Sequence, residues 1–146
     1  MKLKQICISI ENSPGRLLEI TNALGDAGIN LKALNLVDTG DLGQLRLLVS
    51  DVQTARRILM KKQLPARVNE VVAAEIDDIP GSLAKILKPI LEFKVNVIYM
   101  YAFSGLSSGK AVMIFRFTDN DKAIEILQKN GIRLLDAKAF GILENG

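Results

Sequence analysis

Apolar and polar positions alternate in two rhythms along the chain. Leu3–Ile10 alternates, with Ile6, Ile8 and Ile10 on one face, which predicts a half-buried strand. The period then lengthens. Leu17, Ile20, Leu24 and Ala27 recur every three or four residues, predicting an amphipathic helix over Gly15–Ala27. Ser13 is placed to cap that helix, and Pro14 to fill its first position, where a missing N–H has no partner to lose. Gly28 is placed to close it in left-handed backbone. Leu31–Val37 reads as a second strand, Asp38-Thr39-Gly40-Asp41 as a turn, and Gln44–Ser50 as a third strand through Leu45, Leu47 and Val49. Asp51 is placed to cap a second helix over Val52–Gln63, and Pro65 ends it. Arg67–Glu70 then begins a short strand that runs straight into the alternation of Val71–Ile76.

From there the order repeats. Laying Ile10–Asn35 over Ile76–Tyr101, an offset of 66, sets Pro14-Gly15 on Pro80-Gly81, Leu17 on Leu83, Ile20 on Ile86, Leu24 on Ile90 and Ile29-Asn30 on Val95-Asn96. Past the next loop the offset is 68, and Ser50-Asp51 falls on Thr118-Asp119, Ala55 on Ala123 and Ile58-Leu59 on Ile126-Leu127. An offset that changes only inside a loop marks an insertion between two elements. The chain is therefore read as two copies of one unit, residues 1–70 and 71–146. The second copy predicts a helix over Gly81–Phe93, a strand over Val95–Phe103, a Gly-rich hairpin loop at Ser104–Gly109, a strand over Ala111–Phe117, a helix over Asn120–Lys129 and a strand over Leu134–Ile142. The order in each copy is β-α-β-β-α-β. Right-handed crossovers then place both helices on one face of a four-stranded antiparallel sheet. The expected class is α+β, with two tandem ferredoxin-like units. The absence of a linker at the join predicts that they form one continuous antiparallel sheet with helices on one face, which would remove edge strands between the copies.

Composition narrows the chemistry. With 146 residues, 49% hydrophobic and 24% charged, the chain has the apolar content of a folded protein. No apolar run approaches the roughly 20 residues that span a bilayer, and Met1–Gln5 leads into an alternating strand, not a signal-peptide core. A cytoplasmic location with no membrane partner is expected. There is no histidine, which excludes every His-dependent triad. The single cysteine, Cys7, permits no intrachain disulfide, and the ligands for zinc, haem and iron–sulfur sites are missing. Cys7 reads as a small buried hydrophobe. The net charge is +3, and the densest basic run is Arg56-Arg57, Lys61-Lys62 and Arg67. At helical spacing this run lies away from Ala55, Ile58 and Leu59, as a solvated helix face. With only 5% aromatics and no basic-aromatic strand, nucleic acid is not an expected partner. No catalytic residue, metal or cofactor is expected.

The segment Glu11-Asn12-Ser13-Pro14-Gly15-Arg16-Leu17-Leu18, followed by Gly28-Ile29-Asn30-Leu31, resembles the ACT domain, a regulatory amino-acid-binding module. The second copy has Asp77-Asp78-Ile79-Pro80-Gly81-Ser82-Leu83 and then Lys94-Val95-Asn96-Val97. The resemblance covers essentially the whole chain. It implies a stand-alone tandem ACT protein with no catalytic domain attached. Such a protein would bind a free amino acid at interfaces between ACT domains, transmit that binding to an enzyme of amino-acid metabolism, and form a homodimer. Carried over residue by residue, the ligand-binding positions are Asn12, Ser13, Pro14, Gly15, Asn30 and Leu31 in the first copy. In the second they are Asp78, Ile79, Pro80, Gly81, Asn96, Val97 and Ile98. The alternative is a subunit resembling the small subunits of acetolactate synthase, which would dock a biosynthetic enzyme without a ligand of its own.

Elementary physics agrees with such a motif. A helix N-terminus presents unpaired N–H groups and a partial positive charge, suited to a carboxylate. Asn12 offers donors and an acceptor, and Asp78 an acceptor for an ammonium. The ends of a 13-residue helix lie roughly 20 Å apart, so a loop and the Asn beyond its own helix meet one small ligand only across an interface. Each residue also has a plain structural reading: Pro-Gly pairs as turns, Asn30 and Asn96 as loop residues tolerant of left-handed backbone, Asn12 and Asp78 as caps. The copies differ at three points. Lys94 stands where the first copy has Gly28, Ile79 stands where it has Ser13, and Pro89 lies inside the second copy's first helix. Tyr99, Tyr101 and Phe103 alternate along one strand of that copy, as sheet packing or as an apolar wall beside a ligand.

Overall fold

The structure, a computed structural model, describes residues 1–103 and 109–144; of the expected hairpin loop, all but Gly109 lies outside the described residues. The elements in order are β1 (Lys2–Glu11), α1 (Arg16–Asp26), β2 (Leu31–Asp38), β3 (Leu42–Val49), α2 (Val52–Lys61), β4 (Ala66–Asp77), α3 (Ser82–Glu92), β5 (Val97–Phe103), β6 (Lys110–Phe117), α4 (Asn120–Lys129), β7 (Arg133–Leu135) and α5 (Ala137–Phe140). These are two βαββαβ repeats of the ferredoxin-like α+β class. Two compact units form, and they are interleaved in sequence: residues 4–69 with 137–146, and residues 1–3 with 70–136.

In the first unit β3 lies between β2 and β1, both antiparallel to it. Ile6 pairs with Leu47, Ile8 with Leu45 and Ile10 with Gly43, so the alternation of β1 and β3 falls on a shared face. Ile6, Ile8, Leu45, Leu47, Ile20, Leu24, Ala55 and Leu59 are buried, and α1 packs against α2. In the second unit β6 lies between β4 and β5, and β7 pairs with β4. Its core joins Val72, Ala74 and Ile76 to Ile86, Ile90, Phe115, Phe117, Ala123, Ile126 and Leu127. The Phe115 and Phe117 rings stack with centroids 5.0 Å apart. The duplication extends to register. Ile10 pairs with Gly43 as Ile76 does with Ala111, and a bulge falls between Leu31 and Ala33 as another does between Val97 and Tyr99.

All four long helices end alike, with a residue in left-handed backbone closing the last turn. After α1 it is Gly28 (φ 76°), whose N–H bonds the Gly25 carbonyl while Ile29 N–H reaches Leu24 O at 3.0 Å. Gln63, Lys94 and Gly131 take the same place after α2, α3 and α4, with φ of 59°, 59° and 74°. Helix starts come in two kinds. Asp51 accepts from Thr54 N at 3.1 Å to cap α2, and Asp119 accepts from Lys122 N at 3.0 Å to cap α4. The starts of α1 and α3 receive no side-chain cap.

Three expectations change. Helix α1 starts at Arg16, so Ser13 does not cap it and Pro14 is not its first residue: Pro14-Gly15 forms a turn ahead of it, with Gly15 at φ 90°. Within α1 only Ile20 and Leu24 are buried, while Leu17 is 37% exposed and Ala27 exposed. Helix α3, by contrast, runs through Pro89 to Glu92 as the spacing predicts. The strand expected over Leu134–Ile142 stops at Leu135. The helix-favouring Ala137–Phe140 turn follows, closed by Gly141 at φ 68°. Beyond it Leu143 pairs in parallel with Asp51 of the first unit: Leu143 N–H donates to Ser50 O (2.7 Å) and Val52 N–H to Leu143 O (2.9 Å). Lys4 N–H donates to Glu144 Oε2 at 2.6 Å.

Two outcomes are expected. Lys94→Gly removes left-handed strain and stabilises the protein by about 1 kcal/mol in denaturant unfolding. Asp51→Ala costs about 1 kcal/mol at neutral pH. The Asp51 carboxyl is held below its ordinary 3.8 by hydrogen bonds from the Thr54 hydroxyl and N–H. Its contribution is therefore fully present above 3.8 and lost as pH falls through its lower folded value. Stability curves of wild type and Asp51→Ala measured from pH 7 to pH 2 should converge at the acid end.

Candidate functional site

The Pro-Gly pairs build the same turn twice. Arg16 N–H bonds Ser13 O at 3.4 Å and Ser82 N–H bonds Ile79 O at 3.3 Å. Gly15 has φ 90°, ψ −14°, and Gly81 has φ 87°, ψ −5°. A proline followed by a residue at φ near +80° is a type II turn, which demands glycine at its third position. Nothing lies within 4 Å of where a Cβ would sit on either glycine, so conformation, not crowding, selects them. The turn delivers the chain into the helix with no side chain folded over its first N–H groups.

Each helix start adjoins a cleft. In the first unit a cleft of about 250 Å³ is lined by Ile10, Glu11, Asn12, Ser13 and Leu17, with Leu36, Val37, Asp38 and Gly43 from β2 and β3. In the second a cleft of about 310 Å³ is lined by Asp77, Asp78, Ile79, Gly81, Ser82 and Leu83, with Ala111 and Met113 from β6. Each cleft thus holds two carboxylates, Glu11 and Asp38 or Asp77 and Asp78, together with apolar surface and an uncapped helix start. Asp38 Oδ1 accepts from Gly40 N at 2.9 Å, fixing it at the hairpin tip. Asp77 pairs with Lys110, and the hydrogen bond from that ammonium holds the carboxyl below its usual range. The Asn12 N–H bonds Asp41 O (3.3 Å) and the Asp78 N–H bonds Gly109 O (3.0 Å), tying both loops to their hairpins.

The clefts are filled differently. Gly43 is buried, and a Cβ there would stand 3.2 Å from the Leu36 side chain. At the corresponding positions of the second unit stand Ala111 and Ala102, so a Gly–Leu pair is matched by an Ala–Ala pair. Sequence reasoning missed Leu36, Asp38, Gly43, Ala111 and Met113, because they reach the site from the neighbouring hairpin, across the sheet. Glu11 and Asp77, quoted in the motif, carried the one available signal, an acid at the same place in both copies.

Asn12 and Ser13, and Asp78, Ile79 and Gly81, therefore come together in their clefts, with Pro14 and Pro80 in the adjoining turns. Asn30, Leu31, Asn96, Val97 and Ile98 do not line these clefts; they lie past the far ends of α1 and α3. There the backbone is held tightly. Asn30 N–H donates to Ser50 Oγ (2.8 Å) and Ser50 N–H to Asn30 O (2.9 Å). Asn96 and Thr118 make the same pair of bonds at 3.0 and 2.9 Å. Both Asn residues are exposed. Cys7 is buried and its thiol donates to Gln44 Oε1 at 3.3 Å. Arg56, Arg57 and Lys61 are exposed on α2, as is Lys62 just past its end. Among the described residues, no group of three His, Cys, Asp or Glu side chains is arranged to hold a metal ion, and no helix is long and apolar enough to cross a membrane.

With this geometry in place, the comparisons with known proteins are specific. The sequence model of the ACT domain pair matches residues 1–143. The crystal structure of protein BT0572 from Bacteroides thetaiotaomicron is 35% identical and superposes with a TM-score of 0.91 over 98% of each chain. The ligand-free regulatory subunit of aspartate kinase from Thermus thermophilus is 16% identical, with a TM-score of 0.61 over 86% of this chain and 91% of that one. Its counterpart from Thermus flavus is 17% identical, with a TM-score of 0.60 over 86% and 90%. No curated protein matches the chain.

Proposed function

The chain belongs to the ACT domain family, as an ACT domain pair, and from that premise we propose that it is a regulatory protein that binds a free amino acid and passes the signal to a partner enzyme. One observation carries this reading: in both repeats an uncapped helix start, two carboxylates and apolar side chains share one small cleft. The chemistry of that set is complementary to an α-amino acid. Backbone N–H groups in the first turn of α1 or α3 suit the α-carboxylate, with the helix dipole favouring its charge. Glu11 with Asp38, or Asp78 beside the Lys110-paired Asp77, suits the ammonium. Leu17 and Leu36, or Leu83 and Met113, suit the side chain. Asn12 and Asp78 select the backbone groups of the ligand. Asn30 and Asn96, with Leu31, Val97 and Ile98, contribute from a neighbouring domain, since they lie beyond the far end of their own helix. The structures similar in fold that are regulatory subunits of aspartate kinase support an enzyme as the partner.

Leu18, Leu34 and Leu36 are exposed in the first unit, at 62%, 51% and 48%. Leu34 and Leu36 lie on β2, which ends that unit's strand order. Exposed apolar residues along an edge strand favour self-association, and we propose a homodimer. The same surface favours the second reading, a subunit that docks a biosynthetic enzyme and needs no ligand. Co-purification with an enzyme and indifference to amino acids would support that one.

A thermal-shift screen of the standard amino acids tests the sensor reading. A ligand present at 100 times its Kd adds about 2.7 kcal/mol of stability. At least one amino acid should raise Tm, and Asn12→Ala with Asn30→Ala, or Asp78→Ala with Asn96→Ala, should abolish the rise. No shift with any amino acid refutes it, and a shift that survives all four substitutions refutes the site.

A further inference from the structure

A second cleft lies in the 70–136 unit, past Asp77 from the loop cleft. It measures about 220 Å³, and its charged and hydroxyl lining is Glu75, Asp77, Ser82, Lys85, Lys110 and Arg133. These come from four elements: β4, the first turns of α3, the start of β6 and the start of β7. Lys110 pairs with Asp77, and Arg133 Nη1 lies 3.5 Å from Glu75 Oε1. Both carboxylates therefore already have a cation. Lys85 lies near Asp77, whose carboxylate is already hydrogen-bonded by Lys110. Three cations against two carboxylates leave the cleft one positive charge in excess, beside a Ser82 hydroxyl able to donate.

The repeat supplies the comparison. At the positions of Glu75, Asp77, Ser82, Lys85, Lys110 and Arg133 the first copy has Ser9, Glu11, Arg16, Glu19, Leu42 and Pro65. Where the second copy has Lys85, the first has an acid, and where it has Lys110 and Arg133, the first has uncharged residues. The frame does not need these cations to fold, since the same β-α-β-β-α-β order forms without them. We propose that this cleft is a binding site for a small carboxylate anion, present in the second unit only. Lys85 holds its carboxylate by a charge-assisted hydrogen bond, Arg133 adds a second from guanidinium donors other than the Nη1 it turns to Glu75, and the Ser82 hydroxyl is a neutral donor. Neutral zwitterions belong to the loop clefts, where carboxylates outnumber cations. This cleft takes ligands of net negative charge.

Isothermal titration calorimetry of the full chain with succinate tests this, with inorganic phosphate and glycine as comparison probes at matched ionic strength. Succinate should bind one to one. Lys85→Ala and Arg133→Ala should each weaken binding by roughly tenfold, as expected for loss of a charged hydrogen-bond partner. Lys88→Ala, an exposed lysine elsewhere on α3, should leave it unchanged. Circular dichroism melts of each variant establish that it is folded, and Lys85→Gln supplies a second neutral form. No saturable heat with succinate overturns the proposal, as does equal weakening by Lys88→Ala. Tighter binding of phosphate or of glycine than of succinate overturns the ligand class. A loop-cleft response to amino acids that persists alongside failed succinate binding would sink this site and leave the sensor reading standing.

Discussion

An α-helix begins with backbone N–H groups that its own hydrogen bonds cannot satisfy. Each repeat of this protein meets that constraint in two ways. Its second helix takes an aspartate, Asp51 or Asp119, whose carboxylate folds back onto the third N–H of the turn. Its first helix takes a proline-glycine turn and no side chain at all. The second helix is thereby a closed structural part. The first keeps a polar, partly positive end beside a cleft. The glycine's positive φ, the hairpin bonds that anchor Asn12 and Asp78, and the carboxylates facing the same cavities make sense around those open helix ends.

The duplication preserved this framework while the details drifted. Strand registers and bulges coincide, and so do the left-handed helix closures and the locks of Asn30 on Ser50 and Asn96 on Thr118. These are backbone devices, tolerant of side-chain change: Lys94 and Gln63 occupy positive φ where Gly28 and Gly131 do so without strain. The clefts diverged more freely, in side chains that the shared backbone frame does not fix. At matching positions, Gly43 with Leu36 beside one loop cleft stands against Ala111 with Ala102 in the other repeat, and outside those clefts Glu19 on α1 stands against Lys85 on α3.

Much of this was legible in the residues. Two rhythms of apolar spacing located the strands and helices, and the offsets of 66 and 68 recur in the strand pairing itself. The Pro-Gly motif pointed to the open helix starts. What sequence could not supply was long-range or conformational. Local pattern cannot distinguish a proline at the first helical position from one in a type II turn ahead of it, because the φ of the following glycine decides. The apolar run at Leu134–Ile142 looked like one strand because Leu134, Leu135, Ala137 and Ala139 suit either structure. Gly141 and the bonds of Leu143 to the first unit's Ser50 and Val52 settle it as strand, turn and strap. Asp38, Gly43, Ala111 and Met113 join the clefts only through pairing across the sheet, which no single-chain periodicity reveals.

The central claim is that the open N–H groups of α1 and α3 receive the carboxylate of an amino acid. Backbone amide NMR of the uniformly 15N-labelled chain, titrated in turn with the standard amino acids, tests it most directly. The account predicts saturable movement, for at least one amino acid, of the amide signals of Leu17 and Leu18 or of Leu83 and Ala84, with the amides of Gln53 and Asp121 in the Asp-capped helices unmoved. Saturable binding that moves neither pair of first-turn amides would contradict it.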